Sequence, residues 1–452
     1  MTSYAVRSRG SRRASPIRSA RLLRALVALG TIIVIIMWWT GSSGPSITTP
    51  GATVTSFGEL LGMVGGFLVC IQVLLIARLP WLERAIGMDS LVAWHRTLGA
   101  TVLFLIVSHV LAMIFGQQLI ASQAPWTATW MVLTSYSDML TALIGTLLFF
   151  AIGISSARIP RKRLSYEVWY WLHVTAYVAV FLTFLHQISS GVHFDSNPLN
   201  RAIWIALYLG TASAVLAWRV ILPLAAAWRH RLRVLGVVDE GSGITSVWLQ
   251  GKRLEEMGAV AGQFFLFRFL TIGHFLTAHP FSLSLAPHDN MLRISVGSLG
   301  DHTAQFRHLR RGTMVFAEGP FGVFTAARSA RRKILLVAGG AGIGPIRALA
   351  EDFVRHGRDV VVVYRSTSTE GLALEHELRA LHPMTVHTLK GSRRSLGRDP
   401  LTAKSLHSLV RDVREREVYL CGPTGMADTV EHSLLSLGLS RRMIHREELS
   451  MS

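Results

Sequence analysis

Six apolar runs fill the first half of the chain, at about residues 22–40, 57–78, 91–115, 138–156, 167–189 and 201–223. Each is long enough to be read as a membrane-spanning helix. Past about residue 230 the pattern turns to short β-type runs, Leu232–Val238, Thr245–Leu249, Gln263–Phe269, Leu292–Val296 and Met314–Ala317, spaced as in a small antiparallel barrel. From 331 it changes again, to an apolar strand Lys333–Val337, a glycine turn, a helix-like run ending near His356, and strands Asp359–Tyr364 and Glu417–Leu420. That alternation is the mark of an α/β doubly wound nucleotide-binding domain. The fold class expected is a multidomain membrane protein: a basic tail at 1–21, a six-helix transmembrane bundle at 22–226, an antiparallel β-barrel at 231–328 and a doubly wound domain at 331–452.

The mean hydropathy of +0.39 is an average over these unlike halves. The net charge of +19 would suit a nucleic-acid binder, but its distribution speaks for a membrane instead. Seven arginines between Arg7 and Arg24 precede the first span, Arg78 and Arg84 follow the second, Arg158, Arg161, Lys162 and Arg163 follow the fourth, and Arg229, Arg231 and Arg233 follow the sixth. The opposite loops, 41–56, 116–137 and 190–200, hold no Lys or Arg. This asymmetry places the N-terminus and the C-terminal half in the cytoplasm. No basic stripe with interleaved aromatics appears, so no nucleic-acid partner is expected. The first span has the charged lead and apolar centre of a signal peptide, but Trp38-Trp39 and the lack of an Ala-x-Ala site favour a retained helix.

Within the apolar runs stand His95 and His109, 14 residues apart, and His173 and His186, 13 apart. Imidazole is costly in hydrocarbon, which makes an intramembrane histidine a functional candidate. Spans three and five run in the same direction, so His95 pairs with His173 at an inner level and His109 with His186 at an outer one. At ~1.5 Å rise per residue the levels lie about 20 Å apart, the arrangement that hangs two bis-histidine b-type haems in a helical bundle. A 13-residue offset turns the rings ~140° apart on an ideal helix, so tilt or a π-bulge must absorb the difference. Neutral imidazoles need partners for their ring N–H groups, and Thr97, Ser108 and Thr175 are the expected ones. His193, past the end of span five, is the alternative ligand or part of an outer site. The bland reading is four histidines that only hydrogen-bond between helices.

Cys70 and Cys421 fall in different compartments, so neither a disulfide nor a thiolate iron–sulfur cluster is expected. The turn Gly339-Gly340-Ala341-Gly342-Ile343-Gly344-Pro345 follows a strand and opens a helix, where backbone amides make an anion site for a pyrophosphate. Its spacing, Gly340-x-Gly342-x-x-Pro345, is not the dinucleotide GxGxxG pattern.

With these motifs the cytoplasmic half resembles the ferredoxin–NADP reductase superfamily. The whole chain resembles a bacterial member of the ferric reductase/NADPH oxidase family, over about residues 57–449. Four further motifs carry the likeness. His279-Pro280-Phe281-Ser282 is similar to the family's flavin motif, which implies Ser282 at flavin N5 and Phe281 on the ring or ribityl chain. Leu299-Gly300-Asp301-His302-Thr303 resembles the FAD pyrophosphate turn, with Gly300, Asp301 and Thr303 about the phosphates. Gly319-Pro320-Phe321-Gly322 is similar to the loop that closes the barrel. Cys421-Gly422-Pro423 resembles the nicotinamide-side loop, with Cys421 near the hydride and Ser282 as its flavin-side counterpart.

Two departures stand out. Leu449 takes the place of the usual flavin-stacking aromatic, and the outer helix ends offer only Arg201 and Glu59 where NADPH oxidases carry a basic residue. Tyr364-Arg365-Ser366 and Arg393-Arg394 favour the 2′-phosphate of NADPH over NADH, since arginine binds phosphate bidentately. The resemblance implies a flavocytochrome b oxidoreductase passing electrons from NADPH through FAD and two haems to an extracytoplasmic acceptor, ferric iron before molecular oxygen. A haem-free, membrane-anchored flavin reductase is the reading from another class.

Overall fold

The computed structural model describes residues 16–41, 47–195, 197–271, 275, 277–285, 287–297, 305–367, 371–392, 394–395, 397 and 399–448. The chain divides into two units, 1–220 and 221–452.

In the first unit the apolar runs become helices α1 (Pro16–Thr40), α2 (Pro50–Leu75), α3 (Pro80–Ile86), α4 (Met88–Ala121), α5 (Pro125–Ser135) and α6 (Met139–Ser156). There follow α7 (Arg158–Arg163), α8 (Tyr166–Val174), α9 (Ala176–Ser190), α10 (Val192–Asp195) and α11 (Pro198–Leu216). Proline opens α2, α3, α5 and α11, where its missing N–H costs nothing, and Thr49 and Asn197 cap α2 and α11 through their side chains. Six helical stretches are long and apolar enough to cross a bilayer: Ser19–Thr40, Pro50–Leu75, Ser90–Ala121, Met139–Ser156, Val168–Ser190 and Pro198–His230. Large apolar side chains such as Phe104, Leu111, Leu147, Phe181 and Leu209 point outward, the reverse of a water-soluble bundle. The chain is a multi-pass membrane protein.

Two details depart from the sequence expectation. The fifth span has no π-bulge: it is interrupted at Thr175, whose Oγ1 donates to Leu172 O (2.6 Å) and whose amide closes a tight turn on the same carbonyl (3.2 Å). A π-helical turn does occur, at Ala217–Ile221 in the sixth span.

The second unit opens with α12 (Leu222–His230) and strands β1 (Arg233–Gly241), β2 (Ile244–Gln250), β3 (Phe264–Phe269), β4 (His279–Ser282), β5 (Met291–Gly297) and β6 (Val315–Phe321). These form two three-stranded antiparallel sheets, ordered β1-β2-β5 and β4-β3-β6. Single bridges Arg233↔Met314 and Leu283↔Ile294 link the sheets around a core that includes Val247, Phe265, Phe267 and Ile294. Then come β7 (Lys333–Gly339), α13 (Ile343–Arg355), β8 (Asp359–Ser366), α14 (Glu375–Ala380), β9 (Met384–Lys390), α15 (Ala403–Leu409), β10 (Glu417–Gly422), α16 (Thr424–Ser436) and β11 (Ile444–Glu448). Five parallel strands, ordered β11-β10-β7-β8-β9, make the doubly wound sheet. Strands β9 and β11 escaped the sequence reading: β9 is Met384–Lys390, half polar, and β11 is Ile444–Glu448, mostly charged.

Candidate functional sites

In the membrane unit the four histidines meet as two pairs. The rings of His95 and His173 have centroids 6.0 Å apart with planes crossed at 71°. Those of His109 and His186 lie 6.5 Å apart at 29°. Two imidazoles bound to opposite sides of one iron, with metal–nitrogen bonds of about 2.0 Å, have ring centres roughly 6 Å apart. Both pairs fit that spacing.

The pairing rests on α2. His95 Nδ1 lies 3.0 Å from Gln72 O and His109 Nδ1 lies 2.8 Å from Gly58 O. The 14-residue step on α4 is matched by 14 residues between Gly58 and Gln72, in the opposite direction, so an antiparallel α2–α4 hairpin carries both rings in one register. A carbonyl only accepts, so Nδ1 bears the proton in each ring and Nε2 keeps its lone pair, the state an iron ligand needs. Gly62 lets His109 lie flat against α2, since a Cβ there would stand 2.7 Å from Nδ1. His173 Nδ1 faces Ser156 Oγ at 3.4 Å and its ring stacks on Trp169, centroids 5.0 Å apart. His186 Nδ1 is buried with no hydrogen-bond partner among the described residues.

Two of the three hydroxyls expected to hold the rings do otherwise: Thr97 donates to Ala93 O and Thr175 to Leu172 O. For His95 and His109 main-chain carbonyls do that work instead, and no residue type announces them. His193 joins neither pair; its Nε2 lies 3.0 Å from Glu59 Oε2. Among the described residues no group of three or more His, Cys, Asp or Glu could hold a bare metal ion. A haem brings four ring nitrogens of its own and asks only two ligands of the protein.

In the second unit the flavin motif is strand β4 itself, with Ser282 opposite Phe264 and Pro280 opposite Leu266 on β3. The rings of His279 and Phe281 lie parallel (10°) and both meet Phe306 edge-on, at 5.5 and 5.2 Å. The positive φ of Gly319 (150°) and Gly322 (94°) turns the chain at the end of β6 around Phe264 and Phe265. Gly300, Asp301 and Thr303 lie outside the described residues, as do Arg393 and Leu449.

The glycine turn divides its labour. Gly340 is left-handed (φ 53°) and faces open space, the side from which a phosphate can approach its amide. Gly342 is packed shut, and a Cβ there would lie 2.2 Å from Cys421 O. Gly344 and Pro345 are buried at the start of α13, Gly344 against Ser284 and Ser295. We expect Gly342→Ala to lose nucleotide binding and lower the melting temperature of the full chain. Gly340→Ala, strained only by its φ, should cost about 1–2 kcal/mol. Thermal melts with and without NADPH separate the two.

Cys421 is the penultimate residue of β10 and is fully buried; burial, and secondarily the charge of Glu447, push its thiol well above the ordinary range, so it is a neutral thiol. Gly422 and Pro423 follow it beneath Gly339 and Met426. Arg365 is also buried, its guanidinium donating to Leu389 O (3.0 Å) and to Ser366 O. Arg394 is exposed.

Comparison with known proteins agrees with this division. Residues 61–184 match the ferric reductase like transmembrane component, and residues 336–432 match the oxidoreductase NAD-binding domain. A glycine betaine monooxygenase reductase subunit from Pseudomonas aeruginosa is 29% identical over 152 residues, 31% of this chain and 41% of that one. The chain therefore spans about two fifths of that relative. A flavohemoprotein from Xylella fastidiosa is 26% identical over 335 residues, covering 68% of this chain and 83% of that protein. Among solved structures, the ferredoxin reductase in carbazole 1,9a-dioxygenase aligns with 49% of this chain and 67% of its own (TM-score 0.42, 20% identity). A flavohemoglobin from Malassezia yamatoensis aligns with 90% and 98% (TM-score 0.41, 14% identity). By its domains this chain is of the oxidoreductase class. It carries a ferric reductase-like transmembrane domain followed by an oxidoreductase NAD-binding domain.

Proposed function

We propose that this protein is a transmembrane flavocytochrome b oxidoreductase that takes a hydride from cytoplasmic NADPH and delivers single electrons across the bilayer, with ferric iron as acceptor. The observation that carries the reading is the pair of bis-histidine sites, each at the ring spacing of a shared iron. His95 and His173 would hold the inner haem, His109 and His186 the outer one. Strand β4 and residues 300–303 would bind FAD, and Gly340 with the opening of α13 the pyrophosphate of the nicotinamide. FAD supplies the conversion of a two-electron donor to one-electron steps, and haem the one-electron carriers.

With Arg365 engaged by main-chain carbonyls, Arg394 is the described cation of the Arg393-Arg394 pair left to meet the 2′-phosphate of NADPH. At the outer end Glu59 lies against His193, and a carboxylate there suits a cationic acceptor better than release of an anion. The second reading, a superoxide-generating oxidase, differs only in the acceptor.

The test is an anaerobic absorbance spectrum of the detergent-purified, FAD-supplemented protein before and after NADPH. Sharp low-spin b-type bands should appear on reduction, and be bleached faster by ferric chelate than by oxygen. Faster bleaching by oxygen, with superoxide formed, selects the oxidase. Flavin reduction with no haem band makes the membrane half an anchor and ends the proposal.

A further inference from the structure

The two histidine sites are not equivalent. The inner rings cross at 71° and the outer rings lie within 29° of parallel. On the α2 side of the inner site, Gln72 meets His95 twice. Gln72 accepts from His95 Nδ1 through its main-chain carbonyl, and its side-chain Nε2 donates back to His95 O at 2.8 Å. The second bond is possible because α4 carries glycine one turn on: a Cβ at Gly99 would stand 2.9 Å from Gln72 Nε2. His95 is thus gripped at both ring and backbone, which fixes where its helix sits and how the ring is turned. The amide does this at a cost, for its Oε1 is buried with no hydrogen-bond partner among the described residues. At the outer level the matching place on α2 is Gly58, which has a carbonyl but no side chain to make the second bond.

We propose that Gln72, admitted by Gly99, is a positioning residue that sets the crossed ligand planes of the inner site and so makes the two haem sites electronically distinct. This rests on the bis-histidine reading above. In low-spin ferric haem with two imidazoles, the angle between ligand planes sets the splitting of the iron d orbitals, so crossed planes give a highly anisotropic EPR signal and near-parallel planes a rhombic one.

The experiment is EPR of the oxidised full-length protein with a potentiometric titration of both haems, in the wild type, Gln72→Leu and Gly99→Ala. The wild type should show one signal of each kind. Both variants should shift the anisotropic signal and one midpoint potential, leaving the rhombic signal and the other potential where they were. Gly99→Ala touches neither ligand and keeps Gln72, so agreement of the two variants assigns the effect to the amide. Loss of a single haem in Gln72→Leu with the rhombic signal intact also supports the assignment. Two wild-type signals of the same kind, or variants that leave both signals unmoved or alter both alike, overturn it. A wild type with no low-spin haem would instead end the function proposed above, before any variant is made.

Discussion

Replacing His186 with alanine is expected to lower haem content from about two per chain to about one, because an iron held by two imidazoles on facing helices loses half its protein ligands. Hydride uptake should survive, since the flavin and nicotinamide motifs lie in the other unit. NADPH-driven reduction of a soluble dye should therefore stay within about twofold of wild type. Reduction of a membrane-impermeant ferric chelate by protein in oriented vesicles should fall by more than about 100-fold, beyond the 10–100-fold typical of changes outside the ligand sphere. Pyridine haemochrome assay gives the first number and the two acceptor assays the others. Unchanged haem content and unchanged chelate reduction would reduce the membrane histidines to helix-packing residues.

The second large effect is expected at Glu377 on α14. Arg293 on β5 is almost wholly buried and binds this carboxylate through two bonds, Nη1 to Oε1 (2.6 Å) and Nη2 to Oε2 (2.9 Å). It also donates to Ser284 Oγ and Ser284 O (3.1 Å each) and lies over Trp248, 4.9 Å from the ring centre. On the other side Arg347 Nε of α13 stands 2.8 Å from Glu377 Oε2. One carboxylate therefore joins the antiparallel sheets to the nucleotide lobe: it compensates buried Arg293 and shares Arg347 with Glu351. Glu377→Gln leaves buried Arg293 without a carboxylate, while Arg347 keeps Glu351, a change worth about 3 kcal/mol and a fall in melting temperature on the order of 10 °C. Arg293→Met in the same chain should restore part of the loss, since no guanidinium is then stranded on β5.

The pH dependence has a definite sign. Burial raises the Glu377 carboxyl, but hydrogen bonds and charge from Arg293 and Arg347 outweigh it and hold the group below its ordinary value. Its contribution is complete above about pH 4.3 and is lost as pH falls through the lower folded value. Melting curves of wild type should therefore drop more steeply than those of Glu377→Gln on acidification. Parallel acid limbs would show that the carboxylate is not the coupled group.

What the sequence disclosed follows from where each signal resides. The six spans, the pairing of His95 with His173 and of His109 with His186, and the strand–glycine turn–helix unit are written in side-chain type and spacing, and all are present in the fold. The groups that hold the rings of His95 and His109 are main-chain carbonyls of Gln72 and Gly58, and a backbone acceptor on a neighbouring helix leaves no mark on composition. The mismatch of a 13-residue offset was legible, but its remedy was not: a break at Thr175 depends on one side chain folding back on Leu172 O. Arg365 reads as a cation for a 2′-phosphate, yet its guanidinium lies inward, because β9 brings Leu389 O within its reach. Strand β9 itself was hidden by its mixed polar character, since an outer strand of a covered sheet need not be apolar on both faces.

The hairpin of α2 and α4 bears on how such a protein is made. These helices are near neighbours in the chain, so both can emerge from a ribosome and dock before residue 166 has been synthesised. By then both carbonyls that hold His95 and His109, those of Gln72 and Gly58, are in place to do so. Their partners belong to a segment that arrives later and in two pieces, hinged at Thr175. Chain order thus allows two half-built sites to form first, with a later helix that completes both. A cofactor delivered too early would meet one ligand per site, and one delivered after closure would have to pry the fifth span away.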